Sequence, residues 1–194
     1  MNVRQENQPH SSDMHLYLSS ASPMNTVFRN EVGQALYRVR TPSRVFGRTT
    51  TISRIVPNNT STRAEKCGRF EMHDVFGHLA QIEWKSFRSS RLRFQDREMK
   101  TRAFFRKQGF GCRGRNRVFV APDGREYKWK LNSRPPELRT NDERQTLVAR
   151  FHLWRHPYFS SPPTPSLEIL PAGEHIADMI LVSFIYIERL RQDE

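Results

Sequence analysis

The chain has 194 residues, which suits one domain of ordinary size with enough length to bury a core. Hydrophobic residues make up 36% of it, and a net charge of +12 excludes an acidic, solvating protein. No stretch approaches the roughly 20 apolar residues that cross a bilayer. Residues 1–13 lack the apolar core of a signal peptide. We therefore expect an intracellular, cytoplasmic protein.

The first half of the chain predicts short strands. Residues 1–13 are polar, and we expect a disordered tail there. Residues 14–18 alternate, and residues 25–40 predict two strands folded about Gly33, which supplies the positive φ of a tight turn. Residues 57–74 are polar and predict a long surface loop. The other strand candidates are residues 48–56, 78–87, 90–94, 117–121, 125–131, 145–154 and 166–170.

Two segments in the middle of the chain carry further signals. Residues 97–107 are the first stretch that fits a short helix. The Pro-Asp-Gly turn at residues 122–124 joins two alternating runs, which is a strong hairpin signal. In the second run Tyr127, Trp129 and Leu131 alternate with lysines. These large residues either pack in the core or form an aromatic and basic face for nucleic acid.

The C-terminal segment predicts a buried helix over about residues 174–191. Its apolar residues cover nearly the whole circumference of a helix, so the helix is buried on every side or lies in lipid. The charge-free part, from Met179 to Ile187, spans only about 13.5 Å against about 30 Å of hydrocarbon, which favours burial in protein. About ten or eleven short strands predict a mainly β fold, an antiparallel sandwich or barrel. The apolar helix favours a closed barrel, since it would fill a lumen too wide for the barrel's own side chains.

Positive charge is concentrated between Trp84 and Lys130. Fifteen Lys or Arg residues and four acids give this segment +11 of the chain's +12. Such charge attracts anionic membranes and, without specificity, nucleic acid, although salt screens the attraction. The segment is either an anion-binding surface or a solvated face with no specific ligand. For phosphate contacts our candidates are Arg88, Arg91, Arg93, Arg113, Arg115 and Arg117.

The sequence shows no recognisable catalytic or metal-binding motif. It lacks G-x-S-x-G, H-E-x-x-H and Walker A patterns. His152 and His156 are four residues apart, but the alternation of residues 145–154 favours a strand, which separates them by about 13 Å. We therefore expect no enzymatic activity, no cofactor and no metal.

The chain resembles the domain of unknown function 6593 family of basidiomycete fungal proteins. The resemblance covers residues 14–191, and its segments appear in order at suitable spacing. The segments are residues 16–42, 49–58, 78–94, 97–111, 117–131 and 165–191. More distantly, the hairpin from Asn30 to Gly33 and the apolar helix led by Asp178 resemble the tubby C-terminal-like barrels. Those include the plant LURP-one-related proteins and the phospholipid scramblases.

This resemblance implies one barrel domain over residues 14–194, with about twelve strands around a C-terminal helix. The fungal family has no established function, and the wider superfamily includes phosphoinositide and membrane binders, a property that fold alone does not transfer. We expect a monomeric, non-enzymatic binding module whose basic face meets anionic lipid headgroups, a phosphoinositide or another polyanion. The alternative is a structural or protein-interaction scaffold with no specific small ligand.

Overall fold

One antiparallel sheet of thirteen strands is the main element of the described part of the protein. The computed structural model describes residues 13–42, 47–56, 75–85, 89–95, 97–109, 116–131, 133, 135–152 and 164–193. The strands are β1 (Met14–Leu18), β2 (Thr26–Arg29), β3 (Ala35–Arg40), β4 (Thr49–Ile55), β5 (Phe76–Glu83), β6 (Arg91–Phe94), β7 (Arg97–Lys100), β8 (Arg106–Gln108), β9 (Asn116–Val120), β10 (Glu126–Lys130), β11 (Glu137–Thr140), β12 (Leu147–His152) and β13 (Ser166–Ile169).

In the part of the chain that the structure describes, three helical elements accompany the sheet. Helix α1 is a single turn, Thr101–Phe104, between β7 and β8. A 3₁₀ segment, Pro171–Ile176, opens on proline, whose missing N–H has no intrahelical partner to lose at that position. It leads directly into α2, Ala177–Gln192. The helix expected over about residues 174–191 is therefore present.

Neighbouring strands pair in the order β7-β6-β5-β4-β3-β2-β1-β13-β12-β11-β10-β9-β8. Two hairpins predicted from glycine are confirmed, since Gly33 and Gly124 have φ of +80° and +79°. The alternation in β10 also places Tyr127 and Trp129 inside, both fully buried. These aromatic residues therefore pack in the core rather than forming an exposed nucleic-acid face.

Helix α2 is packed by strands from widely separated parts of the sheet. At its first turn Asp178 accepts a hydrogen bond from Tyr37 of β3. Farther along, Phe184 contacts the rings of Trp129 in β10 and Phe151 in β12. Nine of its sixteen residues are buried, because the inner face of the sheet surrounds it. The helix supplies the centre of the hydrophobic core, as its all-round apolar pattern predicts.

The two end strands of the sheet, β7 and β8, are consecutive in the chain. All twelve described pairings are antiparallel, so strand direction alternates along the thirteen strands and β7 and β8 run in the same direction. Parallel neighbours need a crossover of a dozen or more residues, but only residues 101–105 join these two. They are therefore two successive parts of one interrupted strand. Its first part, β7, pairs with β6, and its second part, β8, pairs with β9.

This arrangement changes two expectations. The short helix predicted over residues 97–107 is wrong for most of its length, because β6 and β9 draw residues 97–100 and 106–108 into the sheet and leave one helical turn between them. A closed barrel is not confirmed either. The described sheet has thirteen strands, and no hydrogen bonds between β7 and β8 close it.

Two of the sequence predictions concern residues that the structure does not describe. The tail predicted over residues 1–13 lies outside the described residues except for Asp13, and so does the loop predicted over residues 57–74. The described part of the chain contains no helix with the length and hydropathy of a bilayer-crossing segment.

Candidate functional site

A cleft of about 1140 Å³ opens beside the short segment that joins β7 to β8. Helix α1 forms one side, and its position is fixed by backbone hydrogen bonds. The Thr101 amide donates to the Ser90 carbonyl oxygen at 2.8 Å, and the Arg102 amide donates to Ser89 Oγ at 3.2 Å. The last turns of α2 form another side, with Tyr186, Arg189 and Leu190. The cleft therefore lies at the C-terminal end of the central helix.

Three aromatic rings build the inner part of the cleft. The ring of Tyr186 in α2 is nearly parallel to those of Trp84 and Phe105, with ring centroids 5.9 and 4.4 Å away. Trp84 is held in place because its indole N–H donates to Thr50 Oγ1 at 2.7 Å, and its amide donates to the Arg48 carbonyl oxygen. This column gives the cleft a rigid, partly exposed apolar floor.

Among the described residues, seven basic side chains and one carboxylate line the cleft. The basic residues are Arg48, Lys85, Arg102, Arg106, Lys107, Arg117 and Arg189, and the acid is Asp193. We call this lined opening the basic cleft. A concave surface lined by one sign of charge concentrates the field and attracts ions of the opposite sign.

Some of these cations are neutralised by neighbouring acids and others are not. Arg106 pairs with Glu126 at 2.8 Å, and Arg189 pairs with Asp193 at 2.9 Å. Arg102 and Lys107 are exposed and make no side-chain hydrogen bond or ion pair with any described residue. Their charges are available to an anion that enters the basic cleft.

Arg117 occupies the inner wall of the basic cleft. It lies two residues before Phe119 on β9, so both side chains point to the inner face of the sheet. Its cross-strand partners are Lys107 on β8 and Trp129 on β10. Arg117 is only 8% exposed, which places its guanidinium where water screens charge less than at the rim.

The other described candidates, Arg91 and Arg93, lie on a different surface. Both project from the outer face of β6 and bind one carboxylate, that of Glu98 on β7, at 2.8 and 2.7 Å. Hydrogen bonding by Arg93 is the main reason that the pKa of Glu98 lies below its ordinary value. The structure therefore brings Arg91 and Arg93 together but not into the basic cleft with Arg117. Arg88, Arg113 and Arg115 lie outside the described residues.

The opposite end of α2 is acidic in character. Asp123, at the β9–β10 turn, accepts hydrogen bonds from Tyr127 at 2.7 Å and pairs with His175 at 2.9 Å. Burial alone raises the pKa of Asp123, but these bonds outweigh it and hold the pKa below its usual value. Burial and the bond to Asp123 raise the pKa of Tyr127 to about 12.

A second carboxylate ties the first turn of α2 to the sheet. Asp178 accepts the Tyr37 hydroxyl at 2.7 Å and pairs with Arg54 at 2.9 Å. Burial, followed by the negative charge of Asp178, raises the pKa of Tyr37 well above its ordinary value. Acids thus fix the helix at its N-terminal end, while cations collect at its C-terminal end.

Sequence reasoning missed Arg48, Arg102, Lys107 and Arg189 as residues of one site. Arg102 and Lys107 fall inside the basic segment from Trp84 to Lys130, so the charge count pointed to their neighbourhood. Arg48 and Arg189 carried no such signal, because only the topology of the sheet and helix brings them to the same opening.

The fold and the cleft define a β-rich protein with a buried C-terminal helix and a basic opening at the end of that helix. The chain belongs to the family of unknown function DUF6593, which it matches over residues 21–193. None of the curated proteins compared with it matches significantly.

Among solved structures, an X-ray structure of a protein from Arabidopsis thaliana resembles the chain. The TM-score is 0.36 and the sequence identity 11%, over 92% of this chain and 91% of that one. A TM-score of this size does not establish a shared fold.

Proposed function

We propose that this protein is a non-enzymatic binding module whose basic cleft takes the phosphate group of an anionic lipid headgroup or of another polyanion. The observation that carries the proposal is that Arg102 and Lys107, whose side chains pair with no described residue, line the same opening as further basic side chains. A phosphate in the opening meets Arg102 and Lys107 at the rim and Arg117 on the inner wall. Charge-assisted bonds from Arg and Lys to phosphate are the strong class of hydrogen bond.

The position of the basic cleft favours function over an incidental charge distribution. Cations near the C-terminus of a helix offset its partial negative charge of about half a unit. Arg189 and Arg191, both in the last turn of α2, are enough for that purpose. The other six basic residues of the cleft come from the sheet, α1 and their connections, and they exceed what the helix end requires.

The finer parts of the proposal follow from the resemblance described above. We propose a tubby-like barrel of fungal origin that acts as one monomeric, cytoplasmic domain over residues 14–194. Two features support the barrel. The sheet surrounds α2, and its two end strands, β7 and β8, are successive parts of one interrupted strand.

The test is co-sedimentation of the purified protein with anionic and neutral liposomes at about 0.05 to 0.3 M salt. We expect selective binding to anionic liposomes that persists near physiological ionic strength. The double substitution Arg102→Ala with Lys107→Ala should reduce it by about tenfold or more. Neither side chain has a described partner, so the fold should be unaffected.

The matched control is Arg125→Ala with Lys128→Ala. Arg125 lies in the β9–β10 turn at the acidic end of α2, and Lys128 lies on the outer face of β10. This variant loses the same charge, so equal losses from both variants contradict a localised site. Binding that disappears below physiological salt contradicts it too, and leaves the scaffold without a small ligand as the better account.

A further inference from the structure

We infer that the ligand of the basic cleft is an amphiphile, a phosphate group joined to a hydrocarbon chain, rather than a fully polar anion. This inference rests on the proposed function and specifies its ligand class. Three observations carry it: the size of the cleft, the apolar floor beneath its cations, and the way the floor's rings are already stacked.

The size of the basic cleft exceeds the needs of a single ion. Its volume of about 1140 Å³ is slightly above the range of about 300–1,000 Å³ for pockets that hold drug-sized molecules. A phosphate bound by Lys107 and Arg117 leaves most of this space to the rest of the ligand.

The floor of the basic cleft is apolar where the rim is charged. Trp84, Tyr186 and Leu190 are each partly exposed and line the same opening as the cations. A fully polar anion leaves these surfaces in contact with water. An aliphatic chain covers them and gains free energy in proportion to the apolar surface that it removes from water.

The stacking of the rings favours an aliphatic chain over a flat aromatic group. Tyr186 is nearly parallel to two neighbouring rings, Phe105 at a centroid distance of 4.4 Å and Trp84 at 5.9 Å. Ring surface of Tyr186 is therefore already taken up by stacking, which leaves less of it for a nucleotide base. A flexible chain can instead lie along the exposed parts of Tyr186 and on Leu190.

The experiment is isothermal titration of the full chain with three probes at a concentration below micelle formation. The probes are 1-myristoyl lysophosphatidate, glycerol 3-phosphate and 1-myristoyl lysophosphatidylcholine. We expect the lysophosphatidate to bind at least about tenfold more tightly than glycerol 3-phosphate, since burial of two methylene groups supplies that factor. We also expect it to bind more tightly than the lysophosphatidylcholine, whose headgroup has no net charge.

Two single substitutions separate the contributions of head and chain. Lys107→Ala should weaken the binding of both lysophosphatidate and glycerol 3-phosphate. Its charge-matched control is Arg125→Ala. Leu190→Asn should weaken only the lysophosphatidate, with Val32→Asn as its control, because Val32 is 85% exposed on the β2–β3 turn. Circular dichroism of each variant checks that the fold is kept.

The outcomes distinguish this inference from the proposed function. Equal affinity for lysophosphatidate and glycerol 3-phosphate, both weakened by Lys107→Ala, overturns the amphiphile while the phosphate site stands. No binding of either phosphate probe overturns both. Equal affinity for lysophosphatidate and lysophosphatidylcholine overturns the role of the cations and leaves an apolar groove.

Discussion

The indole of Trp129 in β10 donates a hydrogen bond to the Ser183 hydroxyl of α2, with 2.9 Å between Nε1 and Oγ. Both side chains are fully buried. The hydroxyl in turn donates to the Ile180 carbonyl oxygen at 3.0 Å, so both buried donors are satisfied. Apolar contacts are not directional, whereas this pair fixes the position of α2 along the sheet.

Removing the Ser183 hydroxyl should cost more while the Trp129 indole is present than after that indole has been replaced. Ser183→Ala leaves the indole N–H buried without an acceptor, and we expect a loss of about 1–3 kcal/mol in the free energy of unfolding. In a Trp129→Phe background the same substitution should cost less, since no donor is left unpaired. Urea denaturation of the four variants measures the difference. Equal costs in the two backgrounds contradict the hydrogen bond.

A charge on the central helix should prevent folding. Ile180 is fully buried, and Ile180→Asp places an unpaired carboxylate in the core, which is among the most destabilising of substitutions. The control Ile180→Val keeps an apolar side chain and should cost about 1 kcal/mol. A thermal melt that is the same for Ile180→Asp and the native protein contradicts the central position of the helix.

A methyl group at Gly173 should strain the packing of the 3₁₀ segment. A Cβ there lies 2.6 Å from Val148 Cγ1 and 2.8 Å from Ile180 Cδ1, and both residues are fully buried. We expect Gly173→Ala to cost about 1–3 kcal/mol by denaturation. The control is Gly77→Ala, whose Cβ meets Val56 Cγ2 at 2.8 Å. Val56 is 45% exposed and can move, so a larger cost at Gly77 than at Gly173 counts against this packing.

The Asp123 carboxylate should make stability depend on pH in the acid range. Its pKa is depressed in the folded state, so its contribution is present above the unfolded pKa and is lost as pH falls through the folded value. Asp123→Asn should therefore lower the Tm near neutral pH and flatten the fall of Tm between about pH 5 and pH 2. An unchanged slope in Tm against pH shows that other carboxylates carry the acid dependence.

Asp193 should compete with any anion that enters the basic cleft. It is the only carboxylate among the described residues that line the opening, and it occupies Arg189. Asp193→Asn frees that guanidinium, and we expect affinity for lysophosphatidate to rise by up to about fivefold, the scale of an exposed ion pair. Glu174→Gln removes the same charge at the other end of α2 and should leave the affinity nearly unchanged. Equal increases indicate a general charge effect.

Local patterns predicted those parts of the fold that depend on neighbours in sequence. Glycine turns gave the two hairpins, and alternation gave the inward positions of Tyr127 and Trp129. The position of Arg117 was also predictable, because it shares a face with Phe119 in the same strand.

Features that depend on contacts between distant parts of the chain could not be predicted from local sequence patterns. Residues 97–107 alternate weakly and suit a helix, and only pairing with β6 and β9 divides them into two strands. The basic cleft forms beside that division. Arg48 directly precedes β4 and Arg189 lies in the last turn of α2, so no local pattern links these two members of the cleft.

The most direct test of the basic cleft follows the indole N–H signals of the protein's three tryptophans in a ¹⁵N correlation spectrum. Single Trp→Phe variants assign the signals, and lysophosphatidate is then titrated at physiological ionic strength. The account predicts that the Trp84 signal shifts in a saturable manner, since Trp84 lines the cleft, while the signal of Trp129 in the core stays in place. A saturable shift that leaves Trp84 unmoved would place the anion elsewhere and contradict the account.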